Sequence, residues 1–145
     1  MKVLVINGPN MQLLHQREGY GGQSLQALEK NLQQCANGLG VQVEFFASDI
    51  EGEIVKKIGC FAGDGIVINP AAYSHYSLAI LDALQIFGGI KVEVHITNLY
   101  KREQERQKSL TAQGCEGVIS GLGVDGYLLA LQYIVAKVKG KERGK

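Results

Sequence analysis

Five short runs of β-branched and other apolar residues, each followed by a helical pattern, constrain this chain more than any other feature. Residues 3–7, 41–46, 65–68, 90–96 and 118–120 read as strands, because they are short and bounded by turn residues. Over 24–37, Leu25, Leu28, Leu32 and Cys35 recur at three- and four-residue spacing, with Ser24 set to cap the start and Gly38 or Gly40 to stop it. A second helix is predicted from near Asp49. Its first turn carries Asp49, Glu51 and Glu53, and Lys56 and Lys57 lie toward its end, an order that suits the helix dipole. Further helices are predicted over 76–87 and 123–139, while the polar stretch 97–113 reads as loop with a short helix.

Strand and helix alternating at this spacing predict an α/β fold, a single parallel sheet with helices on both faces. Five units fit the flavodoxin-like strand order 2-1-3-4-5. The 145 residues make one domain, 1–145, with 140–145 read as a frayed basic tail. Hydrophobic residues make up 46% of the chain, enough to build a core without staples. The net charge of +1 argues against a broad nucleic-acid surface. Cys35, Cys60 and Cys115 are odd in number and form no C-x-x-C pair, which excludes a disulfide framework and fits a reducing cytosol. No apolar stretch reaches the roughly 18 residues of a membrane span. The expectation is a soluble, cytoplasmic protein with no membrane or nucleic-acid partner.

Ligands of open α/β sheets bind beyond the carboxyl ends of the strands. There this sequence sets Asn7, Asn10, Arg17 and Tyr20 after the first strand, Asn69, Tyr73, Ser74 and His75 after the third, and His95, Thr97 and Asn98 at the fourth. Two of the three histidines fall on this rim. Neither has a partner at i+3 or i+4 suited to metal, so no metal site is expected. No G-x-S-x-G elbow is present and no cysteine or lysine stands at a strand end, which argues against acyl transfer and Schiff-base chemistry. Proton transfer remains, with His and Tyr as acid and base, Asn as neutral partner and Arg as cation. A small polar anion is the expected substrate. Gly121-x-Gly123-x-x-Gly126 matches a dinucleotide pattern, but the chain has no following strand with an acidic end. Close helix–sheet packing is the better reading of these glycines, and no cofactor is expected.

Asn7-Gly8-Pro9-Asn10, Glu51-Gly52-Glu53, Asn69-Pro70-Ala71-Ala72-Tyr73-Ser74-His75, Glu93-Val94-His95-Ile96-Thr97-Asn98 and Gly121-Leu122-Gly123-Val124-Asp125-Gly126-Tyr127 together resemble the type II 3-dehydroquinate dehydratase family. The resemblance implies a lyase that converts 3-dehydroquinate to 3-dehydroshikimate through an enolate, in the shikimate route or in quinate breakdown. It implies Tyr20 as the base at C2, Arg17 as its charge partner, His95 as the acid at the C1 hydroxyl, and Asn10 as the holder of a water at the enolate oxygen. Asn69 and the backbone amides of Ile96 and Thr97 would hold the carboxylate, and His75 and Arg106 the ring hydroxyls. Asp82 would come from a neighbouring subunit, in trimers that assemble into a dodecamer. No cofactor is implied.

The lid Arg17-Glu18-Gly19-Tyr20-Gly21 is two residues shorter than the usual family pattern, and Ala71 stands where glycine is common. Two other readings therefore stand beside an active dehydratase. One is a family member whose activity is impaired or altered by the short lid. The other is a non-catalytic ligand-binding module on a flavodoxin-like sheet.

Overall fold

The computed structural model of the chain describes residues 1–144. Its five strands are β1 (Lys2–Asn7), β2 (Gln42–Ala47), β3 (Gly65–Asn69), β4 (Ile90–His95) and β5 (Gly117–Ser120), and its helices are α1 (Leu25–Leu39), α2 (Glu51–Cys60), α3 (Leu78–Ile86) and α4 (Asp125–Arg143). The sheet is parallel throughout, in the order β2-β1-β3-β4-β5 that the alternation predicts. Every residue of β3 and β4 is buried, whereas the edge strands β2 and β5 are only partly covered. Helices on both faces of a parallel sheet demand this, because the central strands have no solvent side.

Strand periodicity divides the core in two. On one face Val3, Val5, Val67, Val92 and Val94 pack with Leu28 and Leu32 of α1 and with Leu131 and Ile134 of α4. On the other, Leu4, Ile6, Ile66 and Ile68 pack with Ile54 and Ile58 of α2 and Ile80 and Leu84 of α3. Each such buried aliphatic side chain stabilises the fold by roughly 1.5–3 kcal/mol relative to exposure. Lys91 and Glu93 are buried charges in β4. Lys91 donates to the carbonyls of Leu84 and Phe87 at 2.9 Å each, satisfying the C-terminal end of α3.

The helix starts follow local hydrogen bonds. The Ser24 hydroxyl accepts from Ala27 N, and Gly40, left-handed at φ 71°, closes α1. α2 begins at Glu51 rather than Asp49, since Ser48 Oγ takes the Ile50 N–H in a local turn. α3 begins at Leu78 rather than Tyr76, after a 3-10 turn over Ala71–His75 and a cap in which Ser77 Oγ accepts from Ile80 N. Another 3-10 turn, Met11–Gln16, follows β1. The stretch 97–113, expected as loop with one short helix, winds into three such turns, Leu99–Lys101, Gln104–Arg106 and Thr111–Gly114.

α4 runs through Arg143, so most of the stretch read as a frayed tail is helical; Lys145 lies outside the described residues. Lys141 and Arg143 in the last turn complement the helix dipole, which favours continuation. At its start, a Cβ on Gly126 would come within 3.1 Å of Val94 and 3.2 Å of Ile119. The glycine therefore lets α4 lie close on the sheet, so the packing reading of the glycine motif holds at Gly126, whereas a Cβ on Gly123 would meet open space and one on Gly121 would meet Asn98. Among the described residues no helix is long and apolar enough to cross a membrane.

Candidate active site

The carboxyl ends of β1, β3 and β4 open onto one pocket. Asn10, Met11, Arg17, Tyr20, Asn69, His75, His95, Ile96, Thr97, Arg102 and Arg106 are among the residues that line it. Nine of the ten residues to which the family resemblance gives a role thus meet in one place. The tenth, Asp82, is exposed on α3 and does not line the pocket of its own chain.

β1 and β3 pair in register to their last residues, so Asn7 sits beside Asn69. Gly8 follows, and a Cβ there would collide with the Pro70 carbonyl, so only glycine lets the two strand exits run this close. Asn10 is left-handed at φ 68°, and its N–H donates to the Asp49 carboxylate at 2.9 Å. Tyr73 donates its hydroxyl to the Asp49 carbonyl at 2.6 Å, tying that loop to the turn after β3.

At the end of β4, His95 Nε2 lies 2.6 Å from Glu93 Oε2. Glu93 is fully buried, and its oxygens accept hydroxyl protons from Ser109 and Thr111, both at 2.5 Å. An ionised carboxylate only accepts, so Nε2 carries a hydrogen toward Glu93. Nδ1 is then the nitrogen left uncommitted to Glu93.

Across the pocket the Tyr20 hydroxyl oxygen accepts from Arg17 Nη2 at 3.0 Å and from Arg102 Nη1 at 2.9 Å. The Arg17 guanidinium also stacks on the tyrosine ring, 4.0 Å from its centroid. Arg102 Nη1 reaches Thr97 Oγ1 at 3.0 Å as well, and its carbonyl accepts from Gln107 Nε2 at 2.8 Å. The short lid therefore does bring Tyr20 over the pocket, and it rests on two cations. His75 Nδ1 donates to the Lys108 carbonyl at 2.7 Å, which leaves Nε2 as its other polar atom. Arg106 pairs with Glu103, whose carboxyl is held below its usual range first by a hydrogen bond from its own backbone and then by the charges of Arg102 and Arg106.

Among the described residues the lining holds three arginines and two histidines and no carboxylate, a setting for an anion. No group of three or more possible metal-ligating side chains exists among the described residues. The sequence reading gave no role to Arg102, which lines the pocket, or to Glu93, which contacts His95. Glu93 had a signal: it stands two residues before His95 on an apolar strand, and residues at i and i+2 share a face. Arg102 had none beyond being one cation among several in a polar stretch.

The model of the family described as dehydroquinase class II matches residues 1–135. The 3-dehydroquinate dehydratase of Thermotoga maritima is 50% identical over 141 residues, spanning 96% of this chain and 98% of that one. That of Aliarcobacter butzleri is 51% identical, over 96% of this chain and 89% of its own. Among solved structures, a type II dehydroquinase from Butyrivibrio crossotus superposes with a TM-score of 0.89 at 42% identity, covering 92% of this chain and 97% of that one. A dehydratase-like protein from Bifidobacterium longum gives 0.72 at 31% identity, over 96% and 98% of the two chains. With residues 1–135 matched end to end and the same fold in its relatives, the chain belongs to the class II dehydroquinase family.

Proposed function

We propose that this chain dehydrates 3-dehydroquinate to 3-dehydroshikimate by anti elimination through an enolate. The observation that carries the reading is the pairing of two opposed proton-transfer groups in one pocket, Tyr20 under two guanidinium groups and His95 on a buried carboxylate. Tyrosinate Tyr20 takes the C2 proton, and the C–H electrons move into the enolate. Arg17 and Arg102 hold the negative charge on the base before that step, and Asn10 holds a water at the enolate oxygen. The enolate then re-forms the ketone and expels the C1 hydroxyl, which takes a proton from His95 and leaves as water. Tyr20 ends protonated and His95 neutral, so the return of one proton from the phenol to the imidazole resets the site. Asn69, with the Ile96 and Thr97 amides, binds the carboxylate, and His75 and Arg106 bind ring hydroxyls. General acid and base steps of this kind each contribute about 10²–10⁴-fold.

The same reading makes the enzyme a cytoplasmic homo-oligomer, trimers assembled into a dodecamer, with Asp82 entering a neighbour's pocket. Its exposure on α3 supports that role. The test is an ultraviolet assay with purified protein and 3-dehydroquinate, whose product is a conjugated enone. Absorbance should rise with EDTA present, and borohydride added with substrate should not inactivate the enzyme. A flat trace overturns the function, and a covalent imine adduct in the mass spectrum overturns the mechanism. Light scattering should give a mass with threefold symmetry, and a monomer at micromolar concentration would remove the shared site.

A further inference from the structure

We infer that Tyr127 is a positioning residue that fixes the Asn69 amide so that one of its N–H groups faces the substrate. The inference rests on the substrate-binding role proposed for Asn69. Tyr127 is fully buried in the first turn of α4, below the paired ends of β1 and β3. Its hydroxyl lies 2.6 Å from Asn7 Oδ1 and 2.8 Å from Asn69 Nδ2. Asn69 Oδ1 accepts from Ala71 N at 3.0 Å.

One backbone group sets the direction of this whole chain. The Ala71 N–H can only donate, so the atom of Asn69 facing it must be oxygen. The Asn69 nitrogen must then face Tyr127, the Tyr127 oxygen must accept, and the Tyr127 proton must go to Asn7. Burial pushes the Tyr127 hydroxyl far above the usual tyrosine range, with the Asn69 hydrogen bond opposing, so that proton stays in place at working pH. Asn69 is thus locked against an amide flip.

Among the described residues, the second Asn69 N–H has only the sulfur of Met11, at 3.6 Å. A thioether is a weak acceptor. Met11 and Asn69 both line the pocket. The protein therefore leaves one oriented donor underused at the substrate site, and a carboxylate oxygen is the stronger acceptor that would take it. Without Tyr127, only the Ala71 N–H would hold the amide against a flip that offers the substrate an oxygen. Gly126 in the first turn of α4 acquires a purpose here, because it lets the helix come close enough to the sheet for Tyr127 to reach the strand ends.

The test compares Tyr127→Phe, Asn69→Ala and the double variant with the parent in steady-state kinetics on 3-dehydroquinate. Tyr127→Phe should raise KM about tenfold while kcat changes less than about threefold, the pattern of lost binding shared by ground and transition states. In the Asn69→Ala background the same substitution should change KM by less than about twofold, since the two act as one unit. A KM effect that persists undiminished without Asn69, or a fall in kcat at constant KM, overturns the inference. Should Tyr127→Phe fail to fold, Asn7→Ala carries the test: it frees the hydroxyl to turn but keeps the ring, and it should raise KM in the same direction. An unchanged KM in that variant overturns the inference equally. A parent enzyme with no turnover would instead sink the proposed function, so the two failures are told apart.

Discussion

Glu93 and His95 leave the same face of β4, and the carboxylate meets the imidazole at 2.6 Å with Ser109 and Thr111 closing on its other side. The acid of the proposed reaction thus stands on a buried carboxylate that is itself held by two hydroxyls. Glu93→Gln keeps the shape and removes the charge. It should lower kcat at least about tenfold with little change in KM, because an acid step is lost rather than a binding contact. Equal kcat in the variant would show that the charge of Glu93 is irrelevant to the acid.

Tyr20→Phe and His95→Ala should each lower kcat by about 10²-fold or more. They should differ in stability. Tyr20 is on the lid and only partly buried, so its variant should melt with the parent. His95 is buried, and its loss leaves Glu93 short of a partner, a cost of about 1–3 kcal/mol. Calorimetry of both variants separates the effects, and near-parental turnover in either removes that residue from the mechanism.

Arg102 offers the same kind of contact to Tyr20 as Arg17 does, and it also binds Thr97. Arg102→Ala should therefore cost turnover on the scale of Arg17→Ala, about 10-fold or more. A variant that loses only substrate affinity would mark Arg102 as an anion binder and leave Arg17 alone beside the base.

The sheet was legible because central parallel strands must be apolar throughout, and β3 and β4 differ plainly from the polar segments around them. The rim residues were legible because polar groups directly after such strands stand out. Apart from Glu93, which the strand period places on the face of His95, what escaped detection lies where periodicity carries no signal. The three 3-10 turns of the 97–113 stretch have no repeating face, and nothing in Tyr100-Lys101-Arg102 says which cation turns inward. Contacts with Thr97, Gln107 and the lid decide that, and all are tertiary. Tyr127 reads as one more core aromatic of an amphipathic helix until its hydroxyl is seen between two asparagines.

The cysteines should differ in reactivity. Burial, and then the charge of Glu93, push the Cys115 thiol up to about 12 from an ordinary 9.0. At pH 8 it is neutral, and the thiolate is the nucleophile. Cys60 is exposed. An aromatic disulfide reagent at pH 8 should modify Cys60 quickly and spare Cys115 until the protein is denatured. Since the folded thiol holds its proton more tightly than the unfolded one, this group's contribution to stability is present below pH 9 and fades between about 9 and 12. Rapid labelling of Cys115 in the native protein would contradict the burial.

Ala71 follows the Pro70 turn with φ at +54°, a left-handed conformation that a side chain disfavours. For an L-residue this costs about 1–2 kcal/mol. The Asn69 Oδ1 bond to its N–H helps hold it there. Glycine adopts the conformation freely but loses about 0.5–1 kcal/mol more in chain entropy on folding. The difference favours glycine by roughly 0.5 kcal/mol, so Ala71→Gly should raise the melting temperature by about 2 °C for a domain of this size. The pocket-facing methyl adds little, because it borders the open site rather than the core. Differential scanning calorimetry of the purified variant decides the matter. A lower melting temperature would mean that the alanine methyl contributes more packing than its backbone strain removes, and that the turn after β3 is not a store of strain.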